Sequence, residues 1–227
     1  MTLAPRLERH GRIIVVRDDL IAGGTKARVL PSLLLGGQEY VYASPAYGYA
    51  QVALAYSARM VGSRATVFTA RRKVPHPRTL EAKAAGAKIV MVPNGYLTVV
   101  QSRAKSYCNA TGAILLPFGF DSPKFIAGLT SVAVSIPESP TEVWTVAGSG
   151  TLSRSLQRAW PSARFHAVRV GREPSVGRAA IHVAPEPFER DSRLTPPFPS
   201  CSNYDAKAWQ FIIRLASPGA LFWNVAS

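Results

Sequence analysis

Short apolar runs rich in β-branched residues alternate along this chain with stretches whose apolar residues recur every three to four positions. Strands are predicted at Ile13–Arg17, Ala65–Thr69, Lys88–Val92, Ala113–Phe118, Val143–Ala147 and Arg164–Val170, each flanked by turn-forming residues. Helices are predicted between them, over Lys26–Leu35, Tyr47–Val61, Arg78–Ala85, Leu97–Cys108, Lys124–Val134 and Thr151–Trp160. In the second of these, Ala50, Ala53, Leu54, Ser57, Ala58 and Val61 share one face, and in the last Leu152, Leu156, Ala159 and Trp160 do. Strands separated by helices predict an α/β protein with mostly parallel strands, right-handed crossovers and ligands at the carboxyl ends of the strands.

That rhythm breaks between Gly171 and Ser202, where Pro174, Pro185, Pro187, Pro196, Pro197 and Pro199 accumulate. Proline removes a backbone donor and fixes φ, so this segment is expected to be extended and wrapping rather than helical or central in a sheet. A last helix is expected to start near Asn203 or Asp205, either of which could cap it, with Trp209, Ile212 and Leu215 on its buried side.

Composition narrows the class. With 227 residues and 47% hydrophobic content, the chain can fill the core of one large or one two-lobed domain. It contains no run of 18 apolar residues, and Met1–Gly11 carries Arg6, Glu8, Arg9 and His10 without an apolar signal core. A soluble, non-secreted protein without a membrane partner is expected, cytoplasmic, or in the host cytoplasm if viral. Cys108 and Cys201 are too few for a disulfide framework and suit a reducing compartment. His10, His76, His166 and His182 lack zinc-type spacing, so no metal is expected.

Charge adds a partner. There are 27 Lys+Arg against 13 Asp+Glu, a net +14, and between Arg59 and Lys105 ten basic residues face the single acid Glu81. Such a field attracts a polyanion, and nucleic acid is the obvious one. Arg71, Arg72, Lys73 and Arg78 are the candidate phosphate contacts.

Three turns carry candidate chemistry. In Gly23-Gly24-Thr25-Lys26 a Gly-Gly turn follows a strand and can aim the Lys26 amine over its end. Gly148-Ser149-Gly150-Thr151-Leu152 follows a strand and opens a helix, so its N–H groups and hydroxyls could surround a phosphate; it is neither a Walker loop nor a full dinucleotide fingerprint. Ser44-Pro45-Ala46-Tyr47-Gly48 is a small-residue turn ahead of a helix whose N-terminus suits a carboxylate, with Tyr47 or Tyr49 able to stack on a planar ring.

Together with Arg17-Asp18-Asp19-Leu20, these turns resemble, in order and context, the fold type II pyridoxal-phosphate enzymes, the group of tryptophan synthase β, cysteine synthase and aminocyclopropane-carboxylate deaminase. The resemblance covers most of the chain. It implies a compact two-lobed α/β architecture with mostly parallel sheets flanked by helices, residues 1–37 and 112–227 forming a cofactor lobe and 38–111 a smaller substrate lobe. It further implies that Lys26 carries pyridoxal 5'-phosphate and is the catalytic residue. Gly148, Ser149, Gly150, Thr151 and Leu152 would hold the cofactor phosphate, and Ser44, Ala46, Tyr47 and Gly48 the substrate. The chain departs from the family in its shortness, in lacking a Ser-Gly-Asn-His substrate loop, and in an unassigned partner for the pyridine nitrogen, with candidates in Ser200-Cys201-Ser202-Asn203-Tyr204-Asp205.

A short, basic member with an altered substrate loop resembles the phage-encoded pyridoxal-phosphate decarboxylases that trim amino acids attached to 5-hydroxymethyluracil during thymidine hypermodification of DNA. The Asn203–Trp209 stretch adds to that likeness. It implies decarboxylation of an aminoacyl-thymidine, with double-stranded DNA carrying modified thymidines as partner and a homodimer left open. Two alternatives stand beside it: a pyridoxal-phosphate lyase, deaminase or racemase of a free small amino acid, and a nonenzymatic nucleic-acid-binding α/β protein in which Lys26 is one more cation.

Overall fold

The computed structural model describes residues 4–93 and 95–227. Contacts divide the chain into two units, residues 1–28 with 121–227, and residues 29–120. Each is an α/β unit with its own sheet.

The first unit holds strands β1 (Leu7–His10) and β2 (Ile13–Arg17), and the second holds β3 (Glu39–Ala43), β4 (Arg64–Ala70), β5 (Lys88–Val92) and β6 (Ile114–Leu115). The chain then returns to the first unit with β7 (Glu142–Ala147), β8 (Arg164–Arg169), β9 (Ala180–Val183) and β10 (Leu221–Asn224). The first sheet runs β1-β2-β10-β7-β8-β9, and only the β1–β2 pair is antiparallel. The second runs β5-β4-β3-β6 and is wholly parallel. Helices are α1 (Gly24–Ala27), α2 (Leu30–Leu33), α3 (Ala50–Met60), α4 (Pro77–Ala84), α5 (Leu97–Thr111), α6 (Pro123–Val134), α7 (Thr151–Ala159) and α8 (Trp209–Leu215).

Parallel strands buried on both faces need continuous apolar runs, and β2 and β7 supply them, every residue of both being buried. The first core gathers Val15, Trp144, Val146, Val168, Ile212 and Phe222; the second gathers Val41, Phe68, Val92, Val100 and Ala104. No described helix is long and apolar enough to cross a membrane.

Several elements differ from the pattern in the sequence. The helix expected over Lys26–Leu35 is two pieces, α1 and α2, with Pro31 in the first turn of the second. A proline at 31 has no N–H for a continuing helix, and its ring would strike the carbonyl of residue 27. The strand expected over Ala113–Phe118 shrinks to Ile114–Leu115, because Phe118–Phe120 forms a tight turn around Gly119 at φ 69°. Inside the proline-rich stretch, the proline-free Ala180–Val183 pairs with β8 as an edge strand. The final helix begins as a 3-10 turn over Asp205–Ala208 with no side-chain cap, and Leu215 is 55% exposed rather than buried. β1, β3 and β10 have no counterpart among the predicted strands.

Candidate active site

The turn that carries Lys26 is built from the end of β2. Gly23 and Gly24 take φ of 88° and 66°, values that side chains with a Cβ disfavour, and this lets the chain reverse within two residues and enter α1. The acidic motif before them is scaffold. The Arg17 guanidinium grips Asp19 through Nε–Oδ1 at 2.8 Å and Nη2–Oδ2 at 2.7 Å, and it also pairs with Glu8. Asp18, fully buried, pairs with Arg28 at 2.7 Å and accepts from the Trp223 indole at 2.9 Å. That same indole N–H reaches Thr25 Oγ1 at 3.0 Å, and the Thr25 N–H donates to the Val225 carbonyl at 3.1 Å. Asn224 Nδ2 completes the set with a 2.8 Å bond to Asp19 Oδ1. The residue before Lys26 is therefore tied to β10, the central strand that the sequence pattern misses.

Lys26 is half-buried by area, but its amine is closely surrounded by protein. Desolvation pushes its pKa below the ordinary lysine range, and the nearby Asp205 carboxyl pulls the other way. Asp205 is the electrostatic counterpart. Burial raises its pKa to about 8, against the opposing effect of the Val225 and Ala226 N–H groups and Lys26. Both groups are thus driven toward their neutral forms. A neutral amine is the form that condenses with an aldehyde.

The third component lies at the end of β7. Gly150, at φ 82°, precedes α7, and a Cβ there would stand 2.0 Å from the Ser175 carbonyl oxygen, so only glycine fits. Gly148 donates its N–H to the Tyr204 hydroxyl at 3.0 Å, and that hydroxyl donates to Val146 O at 3.2 Å. Residues 149–152 open α7 here, with the Thr151 N–H donating to Ser149 Oγ at 3.4 Å and the Ser149 and Thr151 hydroxyls 3.0 Å apart, and N–H groups at such a helix start suit an anion. Because β2, β10 and β7 are neighbours and run parallel, the Lys26 turn and this loop follow strands that end at the same sheet edge, β2 and β7 lying about two strand spacings, roughly 10 Å, apart. The structure thus places Lys26 and Gly148–Leu152 after strands that end at one sheet edge.

These residues fit pyridoxal phosphate. A desolvated amine for the aldehyde, a glycine-shaped cradle of N–H donors for the phosphate, and a buried carboxyl oxygen without a partner, Asp205 Oδ1, stand along three adjacent strand ends.

The Ser44–Gly48 turn belongs to the second unit, at the carboxyl end of β3. Gln51 in α3 fastens it: its Nε2 donates to the carbonyls of Ala46 at 2.9 Å and Gly48 at 3.0 Å. Ser44 is fully buried, its hydroxyl donating to Pro45 O at 2.9 Å. The adjacent loop after β4 brings Arg72, whose guanidinium lies 4.6 Å over the Tyr47 ring and donates to its hydroxyl at 3.2 Å. His76 packs on the same ring at 4.4 Å. Arg71, Arg72 and Lys73 are exposed, whereas Arg78 is half-buried, stacks 4.7 Å from Tyr49 and pairs with Glu81 at 2.9 Å. Of the four candidate phosphate contacts, Arg78 is the one already engaged with an acid.

The histidines have structural company. His166 and His182 share a 3.0 Å hydrogen bond and stack on Trp144, and His76 Nδ1 accepts the Arg78 N–H at the start of α4. Among the described residues no group of three or more His, Cys, Asp or Glu could hold a metal ion. Cys108 and Cys201 are both buried.

The fold matches a structure described as an ACC deaminase homologue, with a TM-score of 0.82 and 14% identity over 99% of this chain and 89% of that one. It also matches a threonine deaminase from T.th., with a TM-score of 0.72 and 15% identity over 99% and 91%. The processed threonine deaminase isoform 2 of Solanum lycopersicum gives 0.72 and 12% over 98% and 78%. Among curated proteins, none matches in sequence. The sequence profile described as pyridoxal-phosphate dependent enzyme matches residues 2–214, nearly the whole chain, and the protein belongs to that family.

Proposed function

We propose that this enzyme decarboxylates an amino acid attached to the 5-methyl position of thymine in phage DNA, leaving an aminoalkyl-thymidine. The observation that carries the reading is the stacking of Arg72 on Tyr47. It joins the substrate turn to an exposed Arg71-Arg72-Lys73 run in the unit that holds ten basic residues against Glu39 and Glu81, a net +8. A substrate presented on a polyanion explains why that charge concentrates beside this turn.

When bound, the cofactor supplies an electron sink that weakens a bond at Cα of the attached amino acid. The chain's own residues supply the rest. Lys26, whose amine is desolvated and freed when the substrate's amino group replaces it, would hold the proton received from that amino group and deliver it to Cα in the place that carbon dioxide leaves. The Ser149–Leu152 N–H groups fix the phosphate end. Arg71, Arg72 and Lys73 neutralise DNA phosphates and position the duplex, while the modified base is flipped out or projects from the major groove.

A second reading takes a free small amino acid with the same Lys26 and cofactor. It is favoured by the threonine deaminases among the fold neighbours and by the N-terminus of α3 behind the Ser44 turn, which has no side-chain cap and suits a carboxylate.

One experiment separates the two. DNA bearing aminoacyl-thymidines is incubated with wild type, Lys26→Ala and Arg72→Ala, and its nucleosides are weighed by mass spectrometry; free amino acids are assayed in parallel. Loss of carbon dioxide from the nucleoside, abolished in Lys26→Ala, is expected. Arg72→Ala should weaken DNA binding and lower its salt slope by about one unit. Unchanged nucleosides alongside turnover of a free amino acid would overturn the DNA reading.

A further inference from the structure

The segment from Ser200 to Asp205 holds six polar side chains, and five of them are already committed. Ser200 Oγ donates to Asn224 at 2.8 Å, Cys201 Sγ to Asn203 at 3.1 Å, and Ser202 Oγ to Asp191 at 2.7 Å. Asn203 Nδ2 donates to Phe188 O at 3.2 Å, and the Tyr204 hydroxyl both donates and accepts on β7 and its loop. Asp205 is the exception. Its Oδ2 accepts the Ala226 N–H at 3.1 Å, while Oδ1, fully buried, has no partner.

Position agrees with this elimination. Ala226 lies just past the end of β10, the strand between β2 and β7, so Asp205 sits at the sheet edge between the Lys26 turn and the phosphate cradle. Tyr204, its neighbour, is bonded to the cradle's Gly148, and Lys26 is among the charges that act on Asp205. A cofactor with its aldehyde on Lys26 and its phosphate on residues 149–152 has two polar ring groups left over, the 3-hydroxyl, which carries its own hydrogen and can bond to the adjacent aldehyde-derived group, and the ring nitrogen. That atom is an acceptor in its neutral form and needs a donor when buried.

We infer that Asp205 is the residue that meets the ring nitrogen of bound pyridoxal phosphate and holds it protonated. The transfer balances without any other reactant. The O–H bond on Oδ1 breaks, an N–H bond forms on the ring, and a carboxylate–pyridinium ion pair remains. Burial keeps the Asp205 proton in place until the ring arrives, so the acid enters the encounter as a donor. A hydroxyl at this position could hydrogen-bond the nitrogen but could not protonate it. The consequence holds whichever Cα bond breaks: a positively charged ring draws electrons from Cα more strongly than a neutral one.

The test uses holoenzyme loaded with pyridoxal phosphate carrying nitrogen-15 in the ring. Its chemical shift, followed from pH 6 to 9, reports whether that nitrogen bears a proton. Wild type and Asp205→Glu should give the protonated shift throughout, and Asp205→Thr and Asp205→Asn the unprotonated one with cofactor still bound. Should the variants fail to fold, dipolar recoupling between carbon-13 in aspartate side chains and the ring nitrogen in wild type decides instead, with a direct contact expected. An unprotonated wild-type ring, a protonated ring in Asp205→Thr, or no carboxyl contact overturns the assignment. Wild type that takes up no cofactor overturns the cofactor site as well, which distinguishes the two failures.

Discussion

Replacing Asp205 by asparagine should stabilise the cofactor-free protein at pH 7 to 8 while leaving it nearly unchanged below pH 4. Folding raises the Asp205 pKa to about 8, whereas the unfolded chain holds it near 3.9. Between those values the folded protein keeps a proton that the unfolded chain has released. Wild-type stability is therefore fully present below about pH 4, falls as pH rises toward 8 and levels off beyond. The slope is about 1.4 kcal/mol per pH unit, or roughly 4 kcal/mol between pH 5 and 8, a large share of the 5–15 kcal/mol that holds a typical domain together. Asparagine has the same shape, keeps an oxygen for the Ala226 N–H and does not titrate. Lys26 works in the opposite sense, because its lowered folded pKa makes burial less unfavourable as pH rises. Both proteins carry it, so most of that effect cancels in the difference. Urea unfolding of wild type and variant at pH 5, 6, 7 and 8 measures the gap directly. The variant's advantage should widen steadily with pH, and a gap that stays flat within the extrapolation error would refute the reasoning.

Two further substitutions probe the turns on either side. Gly150→Ala forces a Cβ onto the Ser175 carbonyl at a φ of 82°; it should lower stability by at least about 2 kcal/mol in urea unfolding and weaken cofactor uptake measured by absorbance. Trp223→Phe removes the N–H that serves both Asp18 and Thr25. Stranding a buried carboxylate oxygen should lower stability by about 1–3 kcal/mol, and cofactor affinity should fall with it because the Lys26 turn loses its tie to β10.

What could be read without coordinates was the chemistry written into single turns. Gly23-Gly24 before Lys26 and Gly150 before α7 announce positive φ, and positive φ after a strand announces a loop at a sheet edge. The acid beside Lys26 was harder to read. Asp205 stood among six candidates, and what separates it is desolvation and an unmet oxygen, both products of packing across twenty-one residues to Ala226. The Arg17-Asp18-Asp19 motif showed its position but not its purpose, since its partners Trp223 and Asn224 lie some 200 residues away on a four-residue strand too short to announce itself. Arg72 was legible as a charge, whereas its seat on Tyr47 depends on β3 and β4 being neighbours.

The central position of β10 has a consequence for how the protein is made. Strands β2 and β7 are both synthesised before β10, yet β2 pairs with residues 221–224 and β7 with residues 221–222. During synthesis the first sheet stays split, with apolar edges open, until those residues leave the ribosome. The turn bearing Lys26 cannot be pinned before then, because Trp223 and Val225 are what pin it. Such long sequence separation slows folding and prolongs exposure of sticky surface, so this chain should depend on chaperones until its last strand slots in.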